Sequence, residues 1–263
     1  MLNSQCGKSN ELDSLRKIIA KLRAPDGCPW DKEQTHKSIR RNFLEEAYET
    51  CEAIDLDDAA LLKEELGDVL TQVMFHAQIE EEAGRFTLDD VAAATCEKLI
   101  FRHPHIFGTA RADDAAAVMD AWEELKREEK AHKTVSDSMH AVAKSLPATW
   151  RAEKIQAKAQ KVGFDFPTID EALDKLLEEF HELSRAIKNG QGQAEELGDL
   201  LFSAVNISRL LQIDPEDALH ESASKFTKRF EQMEQMAIAD GQALDGLSLG
   251  EMEAFYQRAK EEL

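Results

Sequence analysis

Carboxylates at helical spacing occur twice in this chain in the same arrangement. The first copy reads Leu44-Glu45-Glu46-Ala47-Tyr48-Glu49, followed by Glu64-Glu65-Leu66-Gly67-Asp68. The second reads Leu177-Glu178-Glu179-Phe180-His181-Glu182, followed by Glu195-Glu196-Leu197-Gly198-Asp199. Like charges three or four apart on a helix repel each other, so such a cluster calls for a cation between its members. Oxygen-only donors suit a hard divalent ion, Mg²⁺ or alternatively Mn²⁺. Glu46 and Glu49 share one helix face, and Glu65 and Asp68 share another. Two antiparallel helices joined by a short turn would bring both pairs into a four-carboxylate cage. The equivalent cage is Glu179, Glu182, Glu196 and Asp199. Gly67 and Gly198 precede the Asp in each second helix. A helix-interior glycine costs about 1 kcal/mol relative to alanine, which points to a close approach by another backbone or a ligand.

The rival reading is a solvated acidic face. Asp and Glu make up 52 of 263 residues, so a single copy of the pattern lies within the reach of chance. The repetition in register is what favours the metal reading. Glu46 to Glu179 and Glu49 to Glu182 are each 133 positions, and Glu65 to Glu196 and Asp68 to Asp199 are each 131. Behind the acids, Lys98 and Arg102 correspond to Lys225 and Arg229, and Trp122 and Lys126 to Tyr256 and Lys260. A di-iron carboxylate bundle is a second rival, because Glu178 and His181 have Glu-x-x-His spacing. The first copy has Tyr48 at that place, and no partnered motif occurs, so His181 reads as a surface or neighbouring residue.

A divalent cation beside ordered cations suits phosphates. Lys225 and Arg229, like Lys98 and Arg102, lie one helical turn apart and can face one anion. Tyr256 or Trp122 would stack on a base or close the pocket, with Lys260 or Lys126 adding charge; for each aromatic, plain core packing is the rival. His103-Pro104-His105 reads as a helix exit bearing proline rather than a metal site. Cys28-Pro29-Trp30-Asp31 and, in the second half, Phe164-Asp165-Phe166 either touch a nucleotide or seal the bundle.

The elements that position these residues are helical. Leu62, Leu66, Val69, Leu70 and Val73 line one helix face, as do Leu176, Phe180, Leu183 and Ile187. Helices are expected near 11–22, 37–55, 58–82, 88–102, 114–131, 148–160, 170–188, 192–212, 215–238 and 249–262. Thr168 with Glu171 and Ser248 with Glu251 have capping-box spacing, and Asp214-Pro215 places a cap before a first-turn proline. No segment alternates as a strand does. The expected fold class is all-α, with two tandem duplicated helical-bundle domains. The first spans 1–135 with a frayed tail at 1–10, a linker follows at 136–147, and the second spans 148–263.

The formal net charge of −20 repels nucleic acids and anionic membrane surfaces, so neither is an expected partner. No apolar run approaches the length of a membrane span, and residues 1–10 lack a signal-peptide core. Cys6, Cys28, Cys51 and Cys96 form no C-x-x-C pair and read as reduced thiols of a cytoplasmic protein.

E-E-x-x-E followed by E-x-x-D, here separated by 15 residues after Glu49 and 13 after Glu182, resembles the signature of the all-α nucleoside triphosphate pyrophosphohydrolases. The tandem order, the C-P-W-D turn and Arg102-His-Pro-His-Ile-Phe107 make the chain similar to the MazG type within that family. The resemblance implies Mg²⁺-dependent hydrolysis of nucleoside triphosphates to monophosphate and pyrophosphate, by attack of water on the α-phosphorus. It also implies a homodimer, with the better-attested site in the second domain. Carried over, the metal ligands are Glu179, Glu182, Glu196 and Asp199, and the nucleotide contacts are Lys225, Arg229, Tyr256 and Lys260. Tyr256 stands where the relatives carry Trp, which bears on base preference. Glu46, Glu49, Glu65, Asp68, Lys98, Arg102, Trp122 and Lys126 form the matching first set, so both domains are candidates for turnover. Glu178, outside the cage, is the expected general base. A nucleotide-binding scaffold without turnover is the alternative function.

Overall fold

The computed structural model describes residues 11–109 and 134–262, together with positions 111, 114, 118, 121, 122 and 125. Among the described residues there is no strand. The chain divides into two compact units, Met1–Lys126 and Arg127–Leu263.

The first unit contains α1 (Glu11–Arg23), α2 (Pro29–Glu33), α3 (Arg40–Asp55), α4 (Ala59–Glu82), α5 (Leu88–Arg102) and α6 (Pro104–Phe107). Its core gathers Ile19, Ile39, Met74 and Phe75, with Leu15, Leu70, Ile79 and Leu88 packed against them. These residues come from α1, the entry to α3, α4 and the start of α5, so burying them holds the α3–α4 pair in place. Helix α3 begins three residues later than its apolar spacing suggests. The backbone N–H of Thr35 donates to Ser38 Oγ at 2.9 Å and Ser38 Oγ donates to Gln34 Oε1 at 2.8 Å, so side-chain bonding holds this stretch as a turn. The short helices α2 and α6 were not expected; each has a proline at its first position, where the missing N–H costs nothing. Most of the helix expected at 114–131 lies outside the described residues.

The second unit contains α7 (Val135–His140), α8 (Ala148–Gln160), α9 (Ile169–Asn189), α10 (Gln193–Leu210), α11 (Pro215–Ala239), a 3₁₀ turn (Leu244–Gly246) and α12 (Leu249–Glu262). Helix α7 begins one residue before the segment read as linker, runs into it and packs on α8. Thr134 and Asp137 close a capping box at its start, a signal the apolar pattern did not contain. Met233, Met236, Ala237, Phe255 and Ala259 zip α11 to α12, with Tyr256 packed at their edge.

Both units fold one acid-bearing helix back on the next, α4 on α3 and α10 on α9. The turns are built differently at the same place in the repeat. Asp57 takes a left-handed φ of 52°, and its counterpart Gly190 takes 71°. A residue leaving a helix in that conformation frees the chain to reverse, and glycine does so without strain. Thr168, Asp214 and Ser248 cap their helices as their spacing suggests, and Asp58 and Thr87 cap α4 and α5. Among the described residues, no helix is long and apolar enough to cross a membrane.

Candidate active site

On the α3–α4 pair, Glu46, Glu49 and Glu65 each offer a carboxylate oxygen, all within 4.8 Å of one another. Asp68 does not join this tight set, so the four-carboxylate cage expected there is a triad with a fourth acid alongside. Four negative charges with no cation among them spread apart. Asp68 still acts through its field. Burial first, then the charges of Asp68 and Glu49, pushes the Glu46 carboxyl above the ordinary range, while Gln72 hydrogen-bonds it. Burial, then Glu49 and Asp68, does the same to Glu65. Among the described residues, no Lys or Arg makes an ion pair with Glu46, Glu49, Glu65 or Asp68.

On the α9–α10 pair the matching triad is Glu179, Glu196 and Asp199, again with oxygens within 4.8 Å. Here Glu182 is the acid left outside the tight set, and it makes a 2.9 Å ion pair with Arg185. Glu179 is buried, and Lys175 Nζ lies 2.7 Å from its Oε1. The same ammonium lies 3.0 Å from Oε1 of the exposed Glu178. Hydrogen bonds to Glu179 and then Glu178 raise the Lys175 pKa above the ordinary lysine value. Burial, followed by the charges of Glu182 and Asp199, pushes Glu196 up. Sequence reasoning passed over Lys175 and Arg185, although a Lys four before and an Arg three after the key acids are visible pairing signals.

Gly67 and Gly198 do not mark a close approach by another part of the chain. A Cβ placed on either would meet no atom of its own surroundings within 4 Å. Each sits on an open face of its helix, beside the triad acids.

The cations and aromatics are placed unequally in the two units. In the first, the Arg102 side chain is buried and its guanidinium lies over the Trp122 ring, 5.2 Å from the centroid. Lys98 is exposed on the same helix, and Lys126 lies outside the described residues. In the second, Lys225 and Lys260 are exposed, and Arg229 and Tyr256 are half-buried. Tyr256 faces Phe226 across the α11–α12 hairpin, with ring centroids 5.9 Å apart. Helix α11 is tied at its start to α8, where Trp150 Nε1 donates to Asp214 and Thr149 Oγ1 to Glu216. Trp30 and Phe164 are both exposed, so neither seals its own bundle. His103 ends α5 with Nδ1 2.7 Å from the Leu99 carbonyl, and Pro104 opens α6, as a helix exit requires.

One polar network in the first unit had no sequence signal. His36 Nδ1 lies 2.7 Å from His76 Nδ1, and His36 Nε2 lies 2.5 Å from Glu80 Oε1. The two rings stack at 5.0 Å, and Arg85 also donates to Glu80. The Arg85 hydrogen bond, with His36 assisting, holds Glu80 down to about 2. His36 is 40 positions from His76 and 44 from Glu80, so only the folding of α4 beside the 34–38 turn unites them.

Residues 34–107 and 168–233 each match the MazG nucleotide pyrophosphohydrolase domain, and each stretch contains one acid triad. Over 248 residues the chain is 44% identical to the nucleoside triphosphate pyrophosphohydrolase/pyrophosphatase MazG of Thermotoga maritima, covering 94% of this chain and 95% of that protein. It is 41% identical over 256 residues to the nucleoside triphosphate pyrophosphohydrolase of Escherichia coli, covering 95% and 97%. The Bacillus subtilis protein YabN is 42% identical over 255 residues, which span 96% of this chain and 52% of YabN. With the domain matched in both halves and nearly full-length relatives of this similarity, the chain belongs to the MazG nucleotide pyrophosphohydrolase family.

Proposed function

We propose that this protein hydrolyses nucleoside triphosphates to nucleoside monophosphate and pyrophosphate with Mg²⁺, or Mn²⁺ in its place, and that the second unit carries the main site. The observation that supports this most is the pair of acid triads, each with oxygens within 4.8 Å and each inside a matched family segment.

The donor set fits a hard divalent ion: every ligand is a carboxylate oxygen, and burial followed by mutual repulsion raises Glu46, Glu65 and Glu196. In the second unit Glu179, Glu196 and Asp199 would hold it, with Glu182 beside them. When bound, such an ion supplies positive charge against phosphate oxygens and a water of lowered pKa. The protein supplies position and further charge. Lys225 and Arg229 on α11, with Lys260 on α12, offset the triphosphate's negative charge, and Tyr256 flanks the base. Glu178 stands outside the triad with Oε1 on Lys175, so its Oε2 is left to take the proton of the water that attacks the α-phosphorus. In the first unit Arg102 is buried against Trp122, which supports a lesser role for that copy in turnover.

A homodimer follows from the same reading. Large apolar side chains are exposed at equivalent places in both copies, Leu44 with Leu177 and Leu66 with Leu197, and Phe180, Leu201 and Phe202 extend the face in the second. A second copy of the chain would cover them, and the mass in solution tests it. A cytoplasmic location agrees with the free thiols of Cys28, Cys51 and Cys96.

The deciding experiment incubates the protein with a panel of triphosphates and Mg²⁺ and identifies the products. Monophosphate and pyrophosphate are expected. Diphosphate with orthophosphate, or no turnover, overturns the proposal. Glu179→Gln abolishing activity while Glu46→Gln retains most of it would support the second unit as the main site, and the reverse pattern would move the site to the first.

A further inference from the structure

The two triads differ in one respect that their shared motif hides. The second has a cation of its own chain seated on it. Lys175 Nζ touches Oε1 of Glu179 at 2.7 Å, with side chains 35% and 8% exposed. It also touches Glu178, and Arg185 neutralises Glu182 at 2.9 Å. By the repeat offset that pairs Glu46 with Glu179, the position of Lys175 is Asn42 and that of Arg185 is Glu52. The first triad therefore has a neutral amide and an additional acid where the second has two cations. Arg41 does not compensate, since it pairs with Glu45 at 2.8 Å on the solvent side, outside the triad.

We propose that Lys175 is a resident cation of the second site, holding the Glu179 oxygen until a divalent ion displaces it, so that the two sites bind free metal unequally. This rests on the reading of the triads as divalent-cation sites. An ammonium and a divalent ion compete for the same lone pairs, because a carboxylate oxygen aimed at one is not available to the other. In the first triad, among the described residues, no cation has to be moved, only the neutral Gln72 side chain that hydrogen-bonds Glu46, and four acids add their fields, so a free ion binds tightly there without nucleotide. In the second an ion must break a charge-assisted hydrogen bond in a partly buried place before it takes Glu179. A triphosphate removes that handicap, since it brings the negative charge that a displaced Lys175 lacks. The first site is then loaded by metal alone, while the second is loaded by metal and substrate together. Lys175 acts as a positioning residue, through its hold on Glu179 and Glu178.

The test is a titration of the full-length protein with Mn²⁺, reading free Mn²⁺ by electron paramagnetic resonance in the absence of nucleotide. The wild-type chain is expected to show two classes of site, the tighter lost in Glu46→Gln and the weaker in Glu179→Gln. Lys175→Met should tighten the weaker class by about tenfold, the scale of one charge-assisted hydrogen bond, and Lys175→Arg should restore the weaker affinity. The reciprocal Asn42→Lys should weaken the tighter class by a similar factor, which keeps the proposal open to refutation if a Lys175 variant misfolds. Equal affinity at both sites, or Lys175→Met leaving the second class unchanged, overturns the proposal while leaving the metal sites standing. Absence of Mn²⁺ binding at either triad overturns both.

Discussion

Both carboxylate oxygens of Asp214 accept from Trp150 Nε1, at 3.0 and 3.1 Å, while Oδ1 also accepts the backbone N–H of Glu216 at 2.8 Å. A single side chain thus caps α11 and ties it to α8. Since α11 carries Lys225 and Arg229, this bond sets where those cations stand relative to their bundle. Asp214→Ala removes a helix cap and orphans an indole N–H, and should destabilise the second unit by about 2–3 kcal/mol. Asp214→Asn keeps an accepting oxygen and should lose less than half of that. Denaturant unfolding of the two variants checks it.

Glu80 offers a test by pH. Its carboxyl is held down to about 2 in the folded chain, so its contribution to stability is full above the ordinary glutamate range near 4.5 and fades as the pH falls toward about 2. His76 acts in the same direction at higher pH: burial and the neighbouring His36 lower its pKa, so acid must charge it at a cost. Wild type and Glu80→Gln should differ most in melting temperature above pH 5 and converge near pH 2. A constant difference across that range would refute the ion-pair account.

The acid triads should show the opposite sign. Glu46 and Glu65 are pushed up, so the metal-free folded chain binds protons more readily than the unfolded one and loses stability as the pH rises past the ordinary carboxylate range. Glu46→Gln should therefore stabilise the metal-free protein at neutral pH, by on the order of 1 kcal/mol from relieved like-charge contacts. It should also shrink the rise in melting temperature that Mg²⁺ produces in the wild-type chain. Calorimetry with and without Mg²⁺ reads both effects.

The phosphate contacts and the proposed base should separate in steady-state kinetics. Lys225→Ala and Arg229→Ala should each lower kcat/KM by roughly 10- to 100-fold with KM raised, as loss of charge-assisted contacts to substrate does. Glu178→Gln should lower kcat by about 100-fold or more with KM little changed, if its carboxylate takes the proton. An unchanged kcat would remove Glu178 from that role and leave it as a partner of Lys175.

Much of this was legible along the chain because it is local. The apolar rows and the capping residues Thr168, Asp214 and Ser248 act within one or two helical turns, where spacing alone decides what meets. Glycine in the acid motif shows the limit of this: Gly67 and Gly198 break a local preference, no other backbone of the chain approaches them, and what faces an open helix surface is not written in the residues beside it. Helix α7 was missed because its capping box, not an apolar row, starts it.

The sequence by itself determined the all-α class, the doubling of the acid motif and the identity of the acids that face one another, since a 3.6-residue period and a repeat offset need no third dimension. Only the tertiary structure decided which acid of each four stands apart, Asp68 in one unit and Glu182 in the other. It alone decided that Arg102 lies against Trp122 and that His36, His76 and Glu80 meet. The physical reason is that electrostatic partners are chosen by distance after packing. Helical spacing lets Lys175 reach both Glu178 and Glu179, but that one of them is exposed and the other buried is decided by the packing.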